Sequence, residues 1–385
     1  MELSTLRIED FRNLGALTFS PGPRFNIFYG ANGQGKTNLL EAVYLLSAVK
    51  SFRPQRNSEL IRWGSKLAVV EGCIERAGVE RTARIDISPQ GKKVQLNGTA
   101  VKNLSTFFGS LNAIVFSPDD LNILKGGPDE RRRFVDRAIF NVSASYLSDV
   151  MAYQSVLKRR NALLRDERNP AMLLDVYDEQ LANLGAAIAL RRLRYLQAFA
   201  PLFRETFNAI FAGADPATPV DAPVDAPKVV ISYRAGWLGG LARPGTLDED
   251  EPALAERLQK TLASGRREDL RRGFTTRGPH RDDLHLSLEG HALRAFASQG
   301  QQRAVVLAMK IAEVRLFQQH RGFRPILLLD DVSSELDRVR NRYLFDFLQN
   351  NPGQVFITTT HRDHILLDDQ LAAFSVAHGS LERTE

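Results

Sequence analysis

Apolar and polar residues alternate in short runs at the start of the chain. Leu6 and Ile8, then Leu17 and Phe19, show the period of two expected of half-buried strands. Arg24-Phe25-Asn26-Ile27-Phe28-Tyr29 reads as a further strand, and Asn38 to Leu46 sets Leu39, Leu40, Val43 and Leu46 at helical spacing. Strand character returns over Leu67 to Glu75, Glu80 to Ile87 and Lys93 to Leu96, with Ala77-Gly78 and Asn97-Gly98 as hairpin turns, and Leu111 to Phe116 reads as a buried strand. From Asp129 to about Phe211 the pattern changes to long helical stretches rich in Leu, Ala and Arg. No heptad keeps its register through Gln154 to Leu202, so this stretch predicts helices packed in a compact bundle and no long coiled coil.

Asp215 to Pro227 is proline-rich and of low complexity, which predicts an extended, exposed loop. Lys228 to Tyr233 reads as a strand, and Pro252 to Ser264 as a helix opening behind the acidic residues Asp248 to Glu251. Leu284, Leu286 and Leu288 then alternate ahead of a turn at Glu289-Gly290, and Ala304 to Phe317 forms a long apolar helix. Two unbroken apolar runs follow, Pro325 to Leu329 and Val355 to Ile357, as strands buried on both faces of a parallel sheet require. These elements predict an α/β fold. Residues 1–128 and 270–385 would form one lobe from the two chain ends, with residues 129–269 inserted as a helical lobe.

Composition narrows the class. At 385 residues and 43% hydrophobic content the chain can bury the cores of two or three lobes. It shows no apolar run long enough for a membrane helix, and Met1 to Asn13 is mixed and charged, so a cytoplasmic protein without membrane contact is expected. Cys73 is the single cysteine, which excludes an intrachain disulfide and a cysteine-rich metal site. The formal charge of +6 permits a polyanionic partner. The arginines cluster at Arg131-Arg132-Arg133 with Arg137, Lys158-Arg159-Arg160, Arg191-Arg192 with Arg194, and Arg266-Arg267 with Arg271-Arg272; solvated helix faces explain such clusters as readily as a binding surface.

One stretch carries specific chemistry. Gly30-Ala31-Asn32-Gly33-Gln34-Gly35-Lys36-Thr37, between a strand and a helix and followed by Asn38, fits the phosphate-binding loop Gly, four residues, Gly, Lys, Ser or Thr. Its glycines let backbone N–H groups turn inward around phosphates, and the helix start adds its own N–H groups and positive dipole end. Lys36 can reach the β and γ phosphates of ATP, and the Thr37 hydroxyl can ligate Mg²⁺.

Distant residues complete this pattern. Asp330 and Asp331 end an apolar strand, where ligands of such sheets sit; Asp330 suits Mg²⁺, and Asp331 suits the orientation or deprotonation of an attacking water. His361 follows another buried strand and can donate to a γ-phosphate. Ser298-Gln299-Gly300-Gln301 precedes the Ala304 helix and suits either a plain helix cap or a second phosphate reader; the second makes sense if it serves a second copy of the chain.

In this order the motifs resemble the ABC-type ATPase head, a P-loop NTPase. More narrowly, the chain resembles the RecF family of bacterial recombination mediators, relatives of the SMC-like heads without their long coiled coil. The closer match is carried by Leu6 to Asn13, the P-loop, Phe116 to Leu121, Arg131 to Asp136, Gly278 to Leu284, Ser298 to Arg303 and Leu328 to Asp337. The resemblance implies an ATP-dependent homodimer, each P-loop facing the partner's signature, that binds duplex and gapped DNA through some of the arginine clusters and is released by hydrolysis. It also implies RecR and RecO as partners. Most ABC heads place Glu where Asp331 stands, so slow turnover is expected, and their glutamine loop has no clear counterpart at Asp119-Asp120. Two other readings share the ATPase motifs: the nucleotide-binding subunit of a membrane transporter, which lacks a helical insert between P-loop and signature, and a small-molecule kinase, which needs no Ser298 signature.

Overall fold

The computed structural model describes residues 1–53, 56–166, 171–212, 227–242, 250–351, 353–362, 365, 367 and 371–384. Most of the proline-rich stretch beginning at Asp215, and Asp248 with Glu249, lie outside these residues. The described residues divide into two compact units, Met1–Asp120 with Ala209–Asp221 and Phe317–Glu385, and Leu121–Asn208 with Ala222–Leu316.

The first unit holds two six-stranded sheets. One is antiparallel in the order Leu17–Phe19, Glu2–Glu9, Ala68–Arg76, Val79–Ser88, Gly91–Leu96, Thr99–Ala100. The other runs Ser380–Arg383, Leu371–Ala377, Phe25–Tyr29, Val355–Thr359, Ile326–Asp330, Ala113–Phe116, and its inner pairs are parallel. Helix Lys36–Ala48 packs against strands of both sheets. That position explains its composition, since a helix enclosed on all sides cannot be amphipathic. Leu40, Val43 and Leu46 share one core with Leu6, Ile74 and Ile85 from one sheet and Leu328 and Phe356 from the other.

Local chemistry sets the turns. Ala77-Gly78, Asn97-Gly98, Glu289-Gly290 and His378-Gly379 all take positive φ at both residues, between 49° and 78°, and each joins two antiparallel strands. Paired positive φ matches the twist of the strands, and glycine at the second position carries half of it without steric cost.

The second unit is not wholly helical. It holds helices Pro128–Val142, Ser145–Leu163 and Glu251–Arg272 and most of Ala171–Ala212 and Gln299–Arg321, together with a four-stranded antiparallel sheet. Ala171–Ala212 runs unbroken for 42 residues, about 60 Å at 1.5 Å per residue, and stacks Tyr195, Phe199 and Phe203 along one face. The helix expected over Pro252 to Ser264 extends to Arg272, because Leu254, Leu258, Leu262 and Asp269 prolong one buried face until Gly273 ends it at φ 71°. The boundaries also differ from the expected lobes. Residues from Leu121 onward join the second unit after the turn Pro118–Leu121, and residues 270–316 belong there because strand Asp283–Leu288 pairs with Val229–Ala235.

Candidate functional site

Three parallel strands end side by side. Asp330 pairs with Thr358, and Thr359 with Tyr29, so the carboxyl ends of Ile326–Asp330, Val355–Thr359 and Phe25–Tyr29 open onto one place. The loop Gly30–Gly35 leaves from Tyr29, with Gly30, Gly33 and Gly35 at φ 149°, 78° and 112°. A Cβ on Gly30 would stand 2.4 Å from the Val376 carbonyl oxygen, so only glycine fits there. Lys36 folds its ammonium back into the loop, donating to the carbonyls of Gly30 (2.6 Å) and Ala31 (2.9 Å). Burial lowers its pKa, against the pull of Asp331 and Asp330.

Across the loop, the Thr37 hydroxyl donates to Asp330 Oδ1 at 2.7 Å, and Thr358 Oγ1 donates to the same oxygen at 2.9 Å. Burial raises the Asp330 pKa, and these two donors oppose the rise. Asp331 follows in the left-handed region at φ 49°, its N–H held by Thr358. Its Oδ1 and the Ser333 hydroxyl are buried without a hydrogen-bond partner among the described residues. A cradle of glycine backbone, an ammonium, and a hydroxyl sharing a carboxylate fits a polyphosphate and a hard cation such as Mg²⁺, while the orphaned polar oxygens require a polar guest.

The P-loop is held from outside by residues whose part the sequence does not reveal. Glu41, fully buried on the P-loop helix, accepts from Arg12 at both oxygens (2.9 and 2.7 Å), from Arg53 (2.7 Å) and from the Ser51 hydroxyl. Burial pushes its carboxyl upward, yet Arg12, Ser51 and Arg53 outweigh that and hold it below the usual range. Arg53 also donates to Asn38 Oδ1, and the Asn38 amide donates to Asn13 Oδ1, so both ends of the Asn38 side chain are engaged within the protein. Gln34 Oε1 accepts from the N–H of His378.

The family described as RecF/RecN/SMC N terminal domain matches residues 2–381. The DNA replication and repair protein RecF of Myxococcus xanthus is 43% identical over 94% of this chain and 91% of its own length, and that of Geotalea uraniireducens is 41% identical over 99% and 100%. The chain belongs to the RecF family of DNA replication and repair proteins. A structure of the recombination mediator protein RecF-ATP in the RecFOR pathway superposes with a TM-score of 0.86 at 31% identity, covering 99% of each chain. The SmcHead bound to the C-winged helix domain of ScpA, 17% identical with a TM-score of 0.55, shares the head fold. Agreement with RecF proteins along nearly the whole chain sets aside the transporter-subunit and kinase readings.

Ser298, exposed in the second unit, caps helix Gln299–Arg321: its hydroxyl accepts from the N–H of Gln301 (3.2 Å), and Gln301 Oε1 accepts from the N–H of Ser298 (2.9 Å). The signature expected ahead of a helix at Ala304 is therefore its first turn, because this reciprocal capping starts the helix five residues earlier. His361 lies exposed two residues beyond its strand, its backbone bonded to the Thr359 hydroxyl. In place of a glutamine loop, Asp120 caps a tight turn by accepting from the N–H of Ser117 (2.8 Å).

The arginine clusters resolve unevenly, and several members are removed from any DNA surface. Arg160 is fully buried between Asp178 (2.6 Å) and Asp269 (2.7 Å), Arg192 makes a fork with Asp136 (2.9 Å), and Arg131 pairs with Asp283 (2.6 and 3.0 Å). Arg266 is held by Asp175 and Asp178. Buried guanidinium groups need carboxylate partners, and the second unit supplies them. Among the described residues, Lys158, Arg159, Arg194, Arg267 and Arg271 carry no such pair. No helix among the described residues is long and apolar enough to cross a membrane.

Proposed function

We propose that this chain is an ATP-dependent DNA-binding protein of recombinational repair and replication restart, one that dimerises on ATP, binds gapped and double-stranded DNA, and lets go on slow hydrolysis. The observation that carries the reading is the meeting of Lys36, Thr37, Asp330 and Asp331, whose Oδ1 is buried without a hydrogen-bond partner among the described residues, at the carboxyl ends of three parallel strands. Lys36 and the N–H groups of the loop receive the phosphates; Thr37 and Asp330 hold Mg²⁺, which offsets the charge on the phosphate oxygens. Asp331 orients the attacking water and takes its proton. His361 senses the γ-phosphate. Asn38 contributes its backbone at the helix start, its side chain being committed to Asn13 and Arg53.

Ser298, Gln299, Gly300 and Gln301 read the γ-phosphate held by a second copy, for which an exposed helix start with a serine cap is suited. The weak, DNA-stimulated ATPase then serves as a switch. RecR and RecO are the proposed partners, in keeping with the RecFOR pathway named for the similar RecF structures, and the setting is the cytoplasm, at the nucleoid.

The test is fluorescence anisotropy of a labelled gapped duplex titrated with the Asp331→Asn protein in ATP–Mg²⁺ and in ADP–Mg²⁺. Much tighter binding in ATP is expected. Equal or absent binding in both refutes the nucleotide-gated clamp.

A further inference from the structure

Trp63 is the one large apolar side chain of the described residues that lies wholly in water, at 100% exposure. It stands at the tip of a turn that is firmly held. The Ser65 N–H closes the turn on the Arg62 carbonyl (3.0 Å), and Gly64 takes φ 89°. Behind it, the Arg62 N–H bonds the Asp10 carbonyl (2.8 Å), the Arg12 N–H bonds the Leu60 carbonyl (2.9 Å), and Ile61 bridges Phe11, which is buried in the core. The indole is thus displayed on a rigid support, so docking it costs little ordering entropy. Beside it in the chain stand exposed Arg62, paired with Asp10 at 3.6 Å, exposed Lys66, and exposed Arg56 at the start of the preceding helical turn, where Glu59 is the acidic residue.

We propose that Trp63 stacks on an unpaired base at the edge of a DNA gap while Arg62 and Lys66 meet the flanking phosphates. Every base offers a π-face, so such a contact is indifferent to sequence, and it needs a base freed from the duplex. Exposed cations on either side of an aromatic ring match the phosphates that flank an unpaired base. The proposal rests on the DNA-binding reading above and adds a reason for preferring gaps over intact duplex.

The experiment compares the intact chain with Trp63→Ala and Trp63→Phe in ATP–Mg²⁺, on a gapped duplex and on an unbroken duplex of equal length. Trp63→Ala is expected to weaken gapped-DNA binding roughly tenfold, within the range of a lost base stack, with Trp63→Phe staying near the unsubstituted value. Unbroken duplex should bind all three about equally. The tryptophans supply a second readout: Trp237 is buried at 6% exposure, so iodide quenching of the free protein reports Trp63. Gapped DNA should shield that fraction, and Trp63→Phe should abolish the change. If Trp63→Ala binds gapped DNA as tightly as the unsubstituted chain, or iodide still reaches Trp63 on saturated DNA, the stacking contact is overturned while the clamp reading stands and Trp63 becomes a protein contact. Failure of the unsubstituted chain to bind either DNA removes both.

Discussion

Replacing Glu41 by Gln tests the support behind the P-loop. The carboxylate is fully buried, and the side chains of Arg12 and Arg53 retain 14% and 28% exposure. Glutamine is isosteric, but its NH₂ must face one donor of the Arg12 fork, and two cations then remain with no anion between them. Removing one partner of a buried ion pair costs about 3–5 kcal/mol, and the residual exposure of both arginines favours the lower end, about 3 kcal/mol. Urea unfolding of Glu41→Gln, followed by a probe in the first unit, should show this loss in the transition midpoint with the slope unchanged. Because Arg53 also holds Asn38 beside Thr37, binding of a fluorescent ATP analogue should weaken in the same variant. A double-mutant cycle with Arg12→Gln isolates the pair, with a coupling above about 1 kcal/mol expected. A loss below about 1 kcal/mol, or additive single effects, would show that Glu41 does not bear the charge of both arginines.

Two further perturbations address the second unit. Burial raises the Asp282 pKa from 3.8 to about 6 and lowers that of His280 from 6.5 to about 4, where His280 sits between the Tyr153 hydroxyl (2.7 Å) and the Thr275 carbonyl (3.1 Å). As pH falls from 6.5 to 4 the unfolded chain takes up the His280 proton first, which lowers stability, whereas folded Asp282 takes up a proton that the unfolded chain does not, which raises it; each effect is about 3 kcal/mol, so they nearly cancel. Asp282→Asn removes only the gain and should make stability fall about 3 kcal/mol more steeply over that range; an unchanged pH profile in urea titrations sinks the assignment. Ser298→Arg should leave ATP binding by the monomer intact yet keep the chain monomeric in ATP–Mg²⁺ by sedimentation, and an ATP-dependent dimer of this variant would refute the shared site.

What the chain determined locally was legible in its residue order. The P-loop, the turns Ala77-Gly78, Asn97-Gly98 and Glu289-Gly290, and the apolar strand ending at Asp330-Asp331 each depend on backbone conformation or burial encoded within a few neighbours. The ends of the signature helix and of Glu251–Arg272 were less legible, because caps and buried faces extend beyond the apolar run that announces a helix. Nothing in the residue order sets Glu41 apart from other polar positions of a helix, and its partners Arg12 and Arg53 are brought to it only by the folded first unit. The arginines show the same limit most plainly. Lys158, Arg159 and Arg160 are adjacent cations on one helix, yet Arg160 is fully buried against Asp269, 109 positions away. Whether a guanidinium meets water, a phosphate or a carboxylate depends on which distant chain segment arrives beside it, and that is decided by tertiary packing, since charge is satisfied through space and not along the chain.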